Sequence, residues 1–372
     1  MTATKERKAR TGGIRLSAAA LKAGLSAVAA AVPGKTPKPI LHNVLLSGGV
    51  LSGSDLEIRI DVEVEADPAL TVLLPRDRLQ AILGSVTADE ITLTPDATSC
   101  VIAAGRGTWT LPTEDAAEYP TWDVGTTKLV TRMPADQFAR AVRGVVFATD
   151  NESSRYALGA VLIEVAGDVV TFVATDGRRL ASVECARSQN EDNDPIAPLV
   201  PARVMEIIAR IADHAGDAGV QLEATGKELV ATVGTARVTA LLVEGRFPRW
   251  RDVLPERETK ATVVSRADLL SATRAAAICT SEDSRGVEYG FADGIWLHGK
   301  SSEKGESSIT CEVLEAGKKC SVKLDPAFVS EWLRGISGDA EPNVEIEAVD
   351  EQSAVVLRCG DNTGVIMPLA KD

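Results

Sequence analysis

The residues of this sequence that could do chemistry are few and widely spaced. It has three histidines, and none stands in a pattern typical of a catalytic base or a metal ligand. Asp150, Asp176 and Asp192 could be combined into a carboxylate metal site, but their neighbours are typical of turns. The chain contains no glycine-rich phosphate-binding loop. We therefore predict a protein without catalysis of its own, without a metal and without a cofactor.

The composition indicates the compartment of the chain and the kinds of partner that it favours or disfavours. Six cysteines occur without a Cys-x-x-Cys pair, which indicates reduced thiols in the cytoplasm. No apolar run reaches membrane-spanning length, and the N-terminus lacks the apolar core of a signal peptide. The net charge of −13, from 40 Lys+Arg and 53 Asp+Glu, taken alone disfavours a nucleic-acid partner.

The most informative stretch is a predicted hairpin between residues 170 and 183. Residues 170–174 are rich in β-branched and aromatic side chains and predict a strand. Asp176-Gly177 predicts a tight turn, because glycine accepts the positive φ that such a turn requires. A second strand then begins at Arg179. One interpretation is a plain hairpin with no function of its own.

The hairpin belongs to an order of elements that occurs three times. The clearest markers are three proline-led helices at Pro75, Pro201 and Pro326, which lie 126 and 125 residues apart. Each is followed by a strand and by a strand pair broken at a glycine. An internal repeat of this length is the strongest signal in the chain. The first copy predicts a helix over 17–32, strands over 40–46, 51–64, 91–94 and 100–111, and Pro75 as the first residue of its second helix.

Each repeat thus predicts two helices and about eight short strands. That mixture favours the α+β class, with antiparallel sheets packed on a helix pair. Residues 125–128 and 255–258 are the predicted linkers between the repeats.

Residues 16–369 resemble the bacterial sliding clamp family, the β subunit of DNA polymerase III. The hairpin carries the family signature as Ala-Thr-Asp-Gly-Arg-Arg-Leu-Ala (174–181). Further matching motifs stand at 39–46, 54–58, 245–248, 284–287 and 365–368. The resemblance implies three repeated DNA-clamp domains per chain and a ring formed by two chains as a head-to-tail dimer. The domains would be 14–128, 129–256 and 257–372, after a disordered basic tail over 1–13.

The resemblance also implies a function. A clamp of this kind encircles double-stranded DNA without sequence preference and tethers the replicative polymerase and other replication and repair proteins. Its expected partners are the catalytic subunit of DNA polymerase III and the clamp loader, bound through linear peptide motifs, in a cytoplasmic, nucleoid-associated homodimer. The alternatives are a diverged clamp paralogue that acts as a protein-binding scaffold, and a phosphodiester hydrolase on a repeated scaffold.

An acidic chain could still hold DNA through its helices. Between the ends of the six predicted helices, ten residues are basic and six are acidic. Arg140 and Arg143 should point away from the core side that Phe138 marks, although ordinary solvated helix faces would look the same. Lys35, in a loop, is added from the resemblance. The predicted DNA-binding residues are Lys22, Lys35, Arg78, Arg140, Arg143, Arg203, Arg210 and Arg274.

A partner-peptide groove and a subunit interface follow from the resemblance alone. The groove would be formed by Leu158, Thr175, Gly177, Arg178, Arg179, Leu180, Pro248, Val253, Val365, Ile366, Met367, Pro368 and Leu369. The interface would be formed by Trp109, Leu111, Ile278 and Cys279. Domain core is the alternative for Leu158, Val253 and Trp109. Arg178, where the family often has His, and Asp252, where a basic residue is frequent, depart from the family pattern, as does the longer, charged C-terminus.

Overall fold

The computed structural model describes residues 13–150, 157–186, 197–254, 259–281, 286–336 and 342–370. Several sequence predictions lie outside these residues: the basic tail up to residue 12, Asp192, the linker at 255–258, and residues 284–285 and 371–372. No helix among the described residues is long and apolar enough to cross a membrane.

The described residues contain the predicted threefold repeat. Each copy runs strand, helix, four strands, helix, three strands. The first copy is β1 Ile14–Ser17, α1 Ala18–Val28, β2 Asn43–Ser47, β3 Val50–Ser54, β4 Ile58–Glu63, β5 Thr71–Pro75, α2 Arg76–Ser85, β6 Glu90–Pro95, β7 Ser99–Ala104 and β8 Gly107–Pro112. The second copy is β9 Lys128–Pro134, α3 Ala135–Val145, β10 Ala160–Ala166, β11 Val169–Thr175, β12 Arg179–Ala186, β13 Leu199–Pro201, α4 Ala202–Ala212, β14 Gly219–Ala224, β15 Glu228–Val233 and β16 Ala236–Leu241. The third copy is β17 Thr262–Ser265, α5 Arg266–Ala276, β18 Val287–Phe291, β19 Ile295–Ser301, β20 Gly305–Cys311, β21 Cys320–Leu324, α6 Pro326–Gly335, β22 Asn343–Glu347, β23 Val355–Cys359 and β24 Asn362–Ile366.

Short 3₁₀ segments correct two predicted boundaries in the first copy. The helix predicted over 17–32 is α-helical only to Val28 and continues as a 3₁₀ turn, Ala29–Ala31. The strand predicted from residue 40 begins at Asn43, because Pro39–His42 forms a 3₁₀ turn. In both places apolar residues continue through the change of structure, so the hydrophobic pattern did not mark it.

The strand predicted over 51–64 is wrong, because the structure has two strands there, β3 and β4. The carboxylate of Asp55 accepts hydrogen bonds from the backbone N–H groups of Glu57, at 3.0 Å, and Ile58, at 2.7 Å. This turn holds Leu56 at φ +80°, a conformation that ordinarily favours glycine. The turn has no glycine, and the sequence therefore lacked the residue type by which such a turn is ordinarily predicted.

The proline-led helices also begin one residue later than predicted in two cases. Pro75 and Pro201 have extended ψ values of 116° and 138°, and they end a strand and precede the helix. Pro326 alone of the three is the first helical residue, with Asp325 as the cap that accepts from the N–H of Ala327. The predicted glycine breaks are confirmed, since two-residue turns open at Gly105, Gly234 and Gly360 with φ between +53° and +56°.

The chain forms two compact units. Unit 1 comprises residues 1–128 and 220–241. It contains a four-stranded antiparallel sheet in the order β1-β6-β7-β8 and the antiparallel series β5-β2-β3-β4-β16-β15-β14. Helix α1 packs on β3 and β4 through Leu21, Leu25 and Val28, which are 0–2% exposed.

Unit 2 comprises residues 129–219 and 242–372. An eight-stranded antiparallel sheet has the order β13-β10-β11-β12-β24-β23-β22-β17, and a four-stranded sheet has the order β20-β19-β18-β21. Helix α3 packs against α4, and α5 packs against α6. The rings of Phe138 and Phe172 meet edge to face, with centroids 5.8 Å apart, and join α3 to β11 in the core.

Two strand pairings join successive copies of the repeat in an equivalent way. At the first joint, in unit 1, β4 pairs with β16 from Ile58↔Ala240 to Val62↔Ala236. At the second joint, in unit 2, β12 pairs with β24 from Arg179↔Ile366 to Val183↔Asn362. In each case the third strand after the first helix of one copy meets the last strand of the next copy. The equivalent pairing that remains would join β20, the third strand after the first helix of the third copy, to β8, the last strand of the first copy. Among the described residues, β20 and β8 each lie at the end of a sheet.

Candidate functional site

The predicted Asp-Gly turn is confirmed and is tightly held. The carboxylate oxygen Oδ1 of Asp176 accepts from the backbone N–H groups of Arg178 and Arg179, both at 2.9 Å. The hydroxyl of Thr175 donates to the carbonyl of Arg179 at 2.6 Å and accepts from the N–H of Gly177 at 3.1 Å. Gly177 has φ +85°. The turn thus places two exposed residues, Gly177 and Arg178, at its tip.

An apolar cluster lies beneath this turn in unit 2. Side chains from β10, β11, β12, β13, β23 and β24 form it together with Ala157 and with Trp250, which is 6% exposed. Its buried members are Ala157, Ala160, Leu162, Val173, Leu180, Leu199, Trp250, Val356 and Val365. Partly buried Val243, Phe247, Leu254 and Ala354 pack against it. This cluster would supply the floor of a groove for apolar side chains.

The predicted groove residues divide by exposure. Buried members are Leu158, Thr175, Leu180, Val365 and Ile366, partly buried members are Arg179, Pro368 and Leu369, and exposed members are Gly177, Arg178, Pro248, Val253 and Met367. The core alternative therefore fits Leu158, at 8% exposed, and does not fit Val253, at 49%. Sequence reasoning missed Trp250 and Phe247, although an aromatic pair around the matching Pro248 was a usable signal.

The end of the chain runs beside the turn. The N–H of Met367 donates to the carbonyl of Arg178 at 2.9 Å, and the N–H of Leu369 donates to the carbonyl of Lys323 at 2.8 Å. The Met367 side chain is left 45% exposed. A flexible, polarisable thioether in this position suits the packing of varied apolar side chains.

The guanidinium of Arg179 forms hydrogen bonds and ion pairs within the protein. It donates to the carboxylates of Asp176 and Glu331 and to the backbone carbonyl of Phe147. The resemblance predicted an arginine of the groove at this position, but it could not show the two distant partners, Glu331 on α6 and Phe147 in the 3₁₀ segment after α3.

The eight predicted DNA-binding side chains are all exposed, and Arg140 and Arg143 face away from the core as predicted. Arg140 and Arg143 are already paired: Arg140 lies 3.2 Å from Asp136, and Arg143 donates to both carboxylate oxygens of Asp213 at 2.9 Å. Part of the positive charge on α3 is therefore balanced by neighbouring carboxylates.

The predicted interface residues lie on β8 and in the 3₁₀ turn Ala277–Cys279, which contacts β20. Trp109, on β8, is partly buried and lies over Gly107, while Leu111 is 6% exposed. Ile278, in the 3₁₀ turn after α5, is 73% exposed, and Cys279 beside it is partly buried. Core packing therefore does not account for Ile278. On the neighbouring strand β19, Trp296 is 39% exposed, a feature that the sequence reasoning did not use.

The reactive groups of the chain are not arranged for catalysis within the described residues. No group of three or more His, Cys, Asp or Glu side chains there could hold a metal ion. All six cysteines are free, and burial raises the pKa of the Cys100 and Cys185 thiols to about 11. Both thiols are therefore protonated, weak nucleophiles at neutral pH. Asp176 acts as the acceptor of a turn.

Comparison with known proteins agrees with this architecture. A family model for the N-terminal domain of the DNA polymerase III beta subunit matches residues 14–123, and one for the central domain matches residues 132–249. The beta sliding clamp of Pseudomonas putida is 31% identical over 361 residues, covering 91% of this chain and 97% of that protein. The beta sliding clamp of Pseudomonas aeruginosa is 30% identical, covering 94% and 97%.

Solved structures show the same fold. The crystal structure of the DNA polymerase III subunit beta from Pseudomonas aeruginosa has a TM-score of 0.89 and 26% identity, covering 97% of this chain and 100% of that one. A threefold repeat of this α+β unit defines the class of DNA sliding clamps. The chain belongs to the beta sliding clamp family, the DNA polymerase III beta subunit, and is a non-catalytic processivity subunit. The hydrolase alternative is therefore set aside.

Proposed function

We propose that two copies of this chain close head to tail into a ring through β8 of one copy and β20 of the other. The observation that supports this is the repeated joint: β4 pairs with β16 and β12 with β24, and the equivalent pairing of β20 with β8 is left open. A free strand edge exposes unpaired N–H and C=O groups, which a second chain can satisfy. Two such pairings would complete a closed dimer with two identical contacts.

An interface mutant tests the ring. Ile278→Asp with Cys279→Asp should give folded monomers, because burying two unpaired carboxylates costs roughly 3–5 kcal/mol per contact. Sedimentation of the unaltered protein should give about twice the chain mass of 39.2 kDa. Val169→Asp, a matched change at a 37% exposed valine of β11, should leave the dimer intact. A dimer that survives the double change contradicts the assigned interface.

The ring would hold duplex DNA by enclosure, with weak contacts to phosphates. Among the described residues, Lys22, Lys35, Arg78 and Arg274 have no ion-pair partner, so their charges remain available to phosphate groups. Such contacts carry no sequence information. This function would associate the protein with the nucleoid, and the acidic remainder of the surface would limit adsorption to nucleic acid outside the ring.

A loading assay tests the DNA proposal. Arg78→Glu with Arg274→Glu should shorten retention on closed circular DNA while the dimer mass stays unchanged. Short linear duplexes should bind weakly and lose affinity steeply with salt. Tight binding to one linear sequence would contradict enclosure.

The groove in unit 2 would receive linear peptides from the polymerase catalytic subunit, the clamp loader and other replication or repair proteins. The apolar cluster below the turn and the exposed Met367 support this use. A Pseudomonas aeruginosa clamp structure contains bound griselimycin, so a clamp of this family takes a ligand besides DNA. A labelled peptide with a glutamine and a Leu-Phe end should bind with micromolar affinity, about −8 kcal/mol. Deleting residues 367–372 should remove most of that affinity and leave the dimer mass unchanged.

A further inference from the structure

The side chain of Arg179 is enclosed to an extent unusual for a charged group. Only 11% of it is exposed, and its guanidinium carbon lies 5.4 Å from the ring centroid of Phe147 and 4.3 Å from that of Phe328. The same group forms ion pairs with Asp176 and Glu331. One guanidinium thereby connects the turn after β11, the segment after α3, and α6.

The same turn is built at the first joint without an arginine. There the hydroxyl of Ser54 accepts from the N–H of Leu56 at 3.1 Å, as Thr175 does for Gly177. The carboxylate of Asp55 accepts from two successive N–H groups, as Asp176 does in the second joint. The two turns therefore share one hydrogen-bond pattern.

Ile58 and Arg179 hold equivalent positions in these two turns. Each gives its N–H to the turn aspartate, and each is the first residue of its strand to pair across the joint. Ile58 is 3% exposed, so an aliphatic side chain is sufficient for the turn to form. The guanidinium must then serve a feature that is particular to the second joint.

That feature is the wall of the groove. The Nε group of Arg179 donates to Oδ2 of Asp176 at 3.0 Å, while Oδ1 of the same carboxylate holds the turn. The turn carbonyl of Arg178 holds the N–H of Met367 at 2.9 Å. Leu180, the next residue, lies in the groove floor. A shift of the guanidinium would thus move the turn tip and Met367 relative to the floor.

We propose that Arg179 is a positioning residue, which fixes the turn tip and Met367 by anchoring Asp176 to α6 through Glu331 and the two phenylalanine rings. Its guanidinium does not contact the bound peptide. This inference rests on the proposed peptide groove. It assigns Glu331 and Phe328, which no sequence motif indicated, to the support of the groove.

The test replaces Arg179 with the side chain that the first joint uses. Arg179→Ile should raise the Kd for the labelled peptide with a glutamine and a Leu-Phe end about tenfold, which corresponds to about 1.4 kcal/mol, without changing the dimer mass. Glu331→Gln should raise it by a smaller factor, and the double variant should be no weaker than Arg179→Ile alone, since both changes break one linkage. The methyl NMR signal of Met367, one of four methionines, should shift in both single variants.

The controls separate positioning from general stability. Ile58→Val, a conservative change at the equivalent place, should leave both the peptide Kd and the Met367 signal unchanged. An unchanged Kd in Arg179→Ile, or effects of the two single changes that multiply, overturns the proposal. If Arg179→Ile does not fold, the peptide Kd of Glu331→Gln and of Phe328→Leu tests the proposal instead. Wild-type affinity in both variants refutes the positioning role of Arg179. Failure of the unaltered protein to bind the peptide would instead refute the groove itself.

Discussion

The two joints of this chain share a turn pattern and a strand pairing, and three of the positions at which their side chains differ bear on the proposed groove. At the first joint the turn tip is Leu56, the first residue to pair across the joint is Ile58, and the residue after the last pair across the joint is Leu241. The second joint has glycine, arginine and methionine in those places. In both, the last residue donates its N–H to a turn carbonyl, Leu241 to Glu57 at 3.0 Å and Met367 to Arg178 at 2.9 Å. The joint itself belongs to the fold, and the proposed groove would depend on side chains that only the second joint carries.

The largest effect on stability is expected from introducing an arginine at the first joint. Ile58→Arg should lower the free energy of unfolding by roughly 3–5 kcal/mol, because it places a charge where the present side chain is 3% exposed and aliphatic. Urea unfolding measures the loss. A variant as stable as the parent would mean that the first joint can also hold a guanidinium, and the two joints would be more alike than described.

The exposed residues that end the two joints provide a second contrast. Met367 is 45% exposed and Leu241 is 42% exposed. Met367→Ala should weaken binding of the labelled peptide about tenfold, through lost apolar contact of about 1–2 kcal/mol, whereas Leu241→Ala should not change it. Fluorescence anisotropy on both variants checks this, and equal losses would remove the distinction between the joints.

The turn tips predict a smaller effect on stability. Leu56 at φ +80° is strained, and Gly177 at φ +85° is not. Leu56→Gly should stabilise the protein by up to about 1 kcal/mol, and Gly177→Leu should destabilise it by about 1 kcal/mol. No atom lies within 4 Å of the position of a Cβ on Gly177, so backbone strain alone should set that cost. Thermal unfolding of the pair gives both signs.

The smallest effect concerns the free edge strand β20. His298 hydrogen-bonds the carboxylate of Glu306 at 2.7 Å, and that bond, with the charges of Lys300 and His298, holds the pKa of Glu306 below its ordinary value. A lowered pKa adds stability above the ordinary carboxyl pKa, and this stability is lost as the pH falls through the folded value. Glu306→Gln should remove a small acid-side dependence of the thermal midpoint. An identical pH profile in the variant would contradict this.

The repeat and its element types could be predicted because they rest on local patterns. Proline-led helices and glycine-broken strand pairs recur at near-equal intervals, and the structure contains all three copies. The Asp-Gly turn and the outward direction of Arg140 and Arg143 were also predictable, since turn chemistry and helical periodicity decide them.

The partners of charged side chains could not be predicted. Arg143 meets Asp213, and Arg179 meets Glu331, across 70 and 152 residues of sequence. Such contacts depend on how α3, α4 and α6 pack, which no local pattern contains. The turn at Asp55 was missed for a different reason. Leu56 takes the positive φ at a position where such turns ordinarily have glycine, so the residue types did not indicate a turn. The groove, interface and DNA residues remain predictions that the experiments above address.

The free edges of β8 and β20 have a consequence for assembly beyond the dimer. A chain with one strand edge and a different complementary edge can join copies without limit, because each addition leaves the same two edges at the ends. The rotation between successive copies alone decides whether the series closes or grows into a filament. Closure after two chains would pair both of these edges in each copy, so a change that alters this rotation should convert a finite particle into open chains. Negative-stain microscopy of interface variants would detect that conversion.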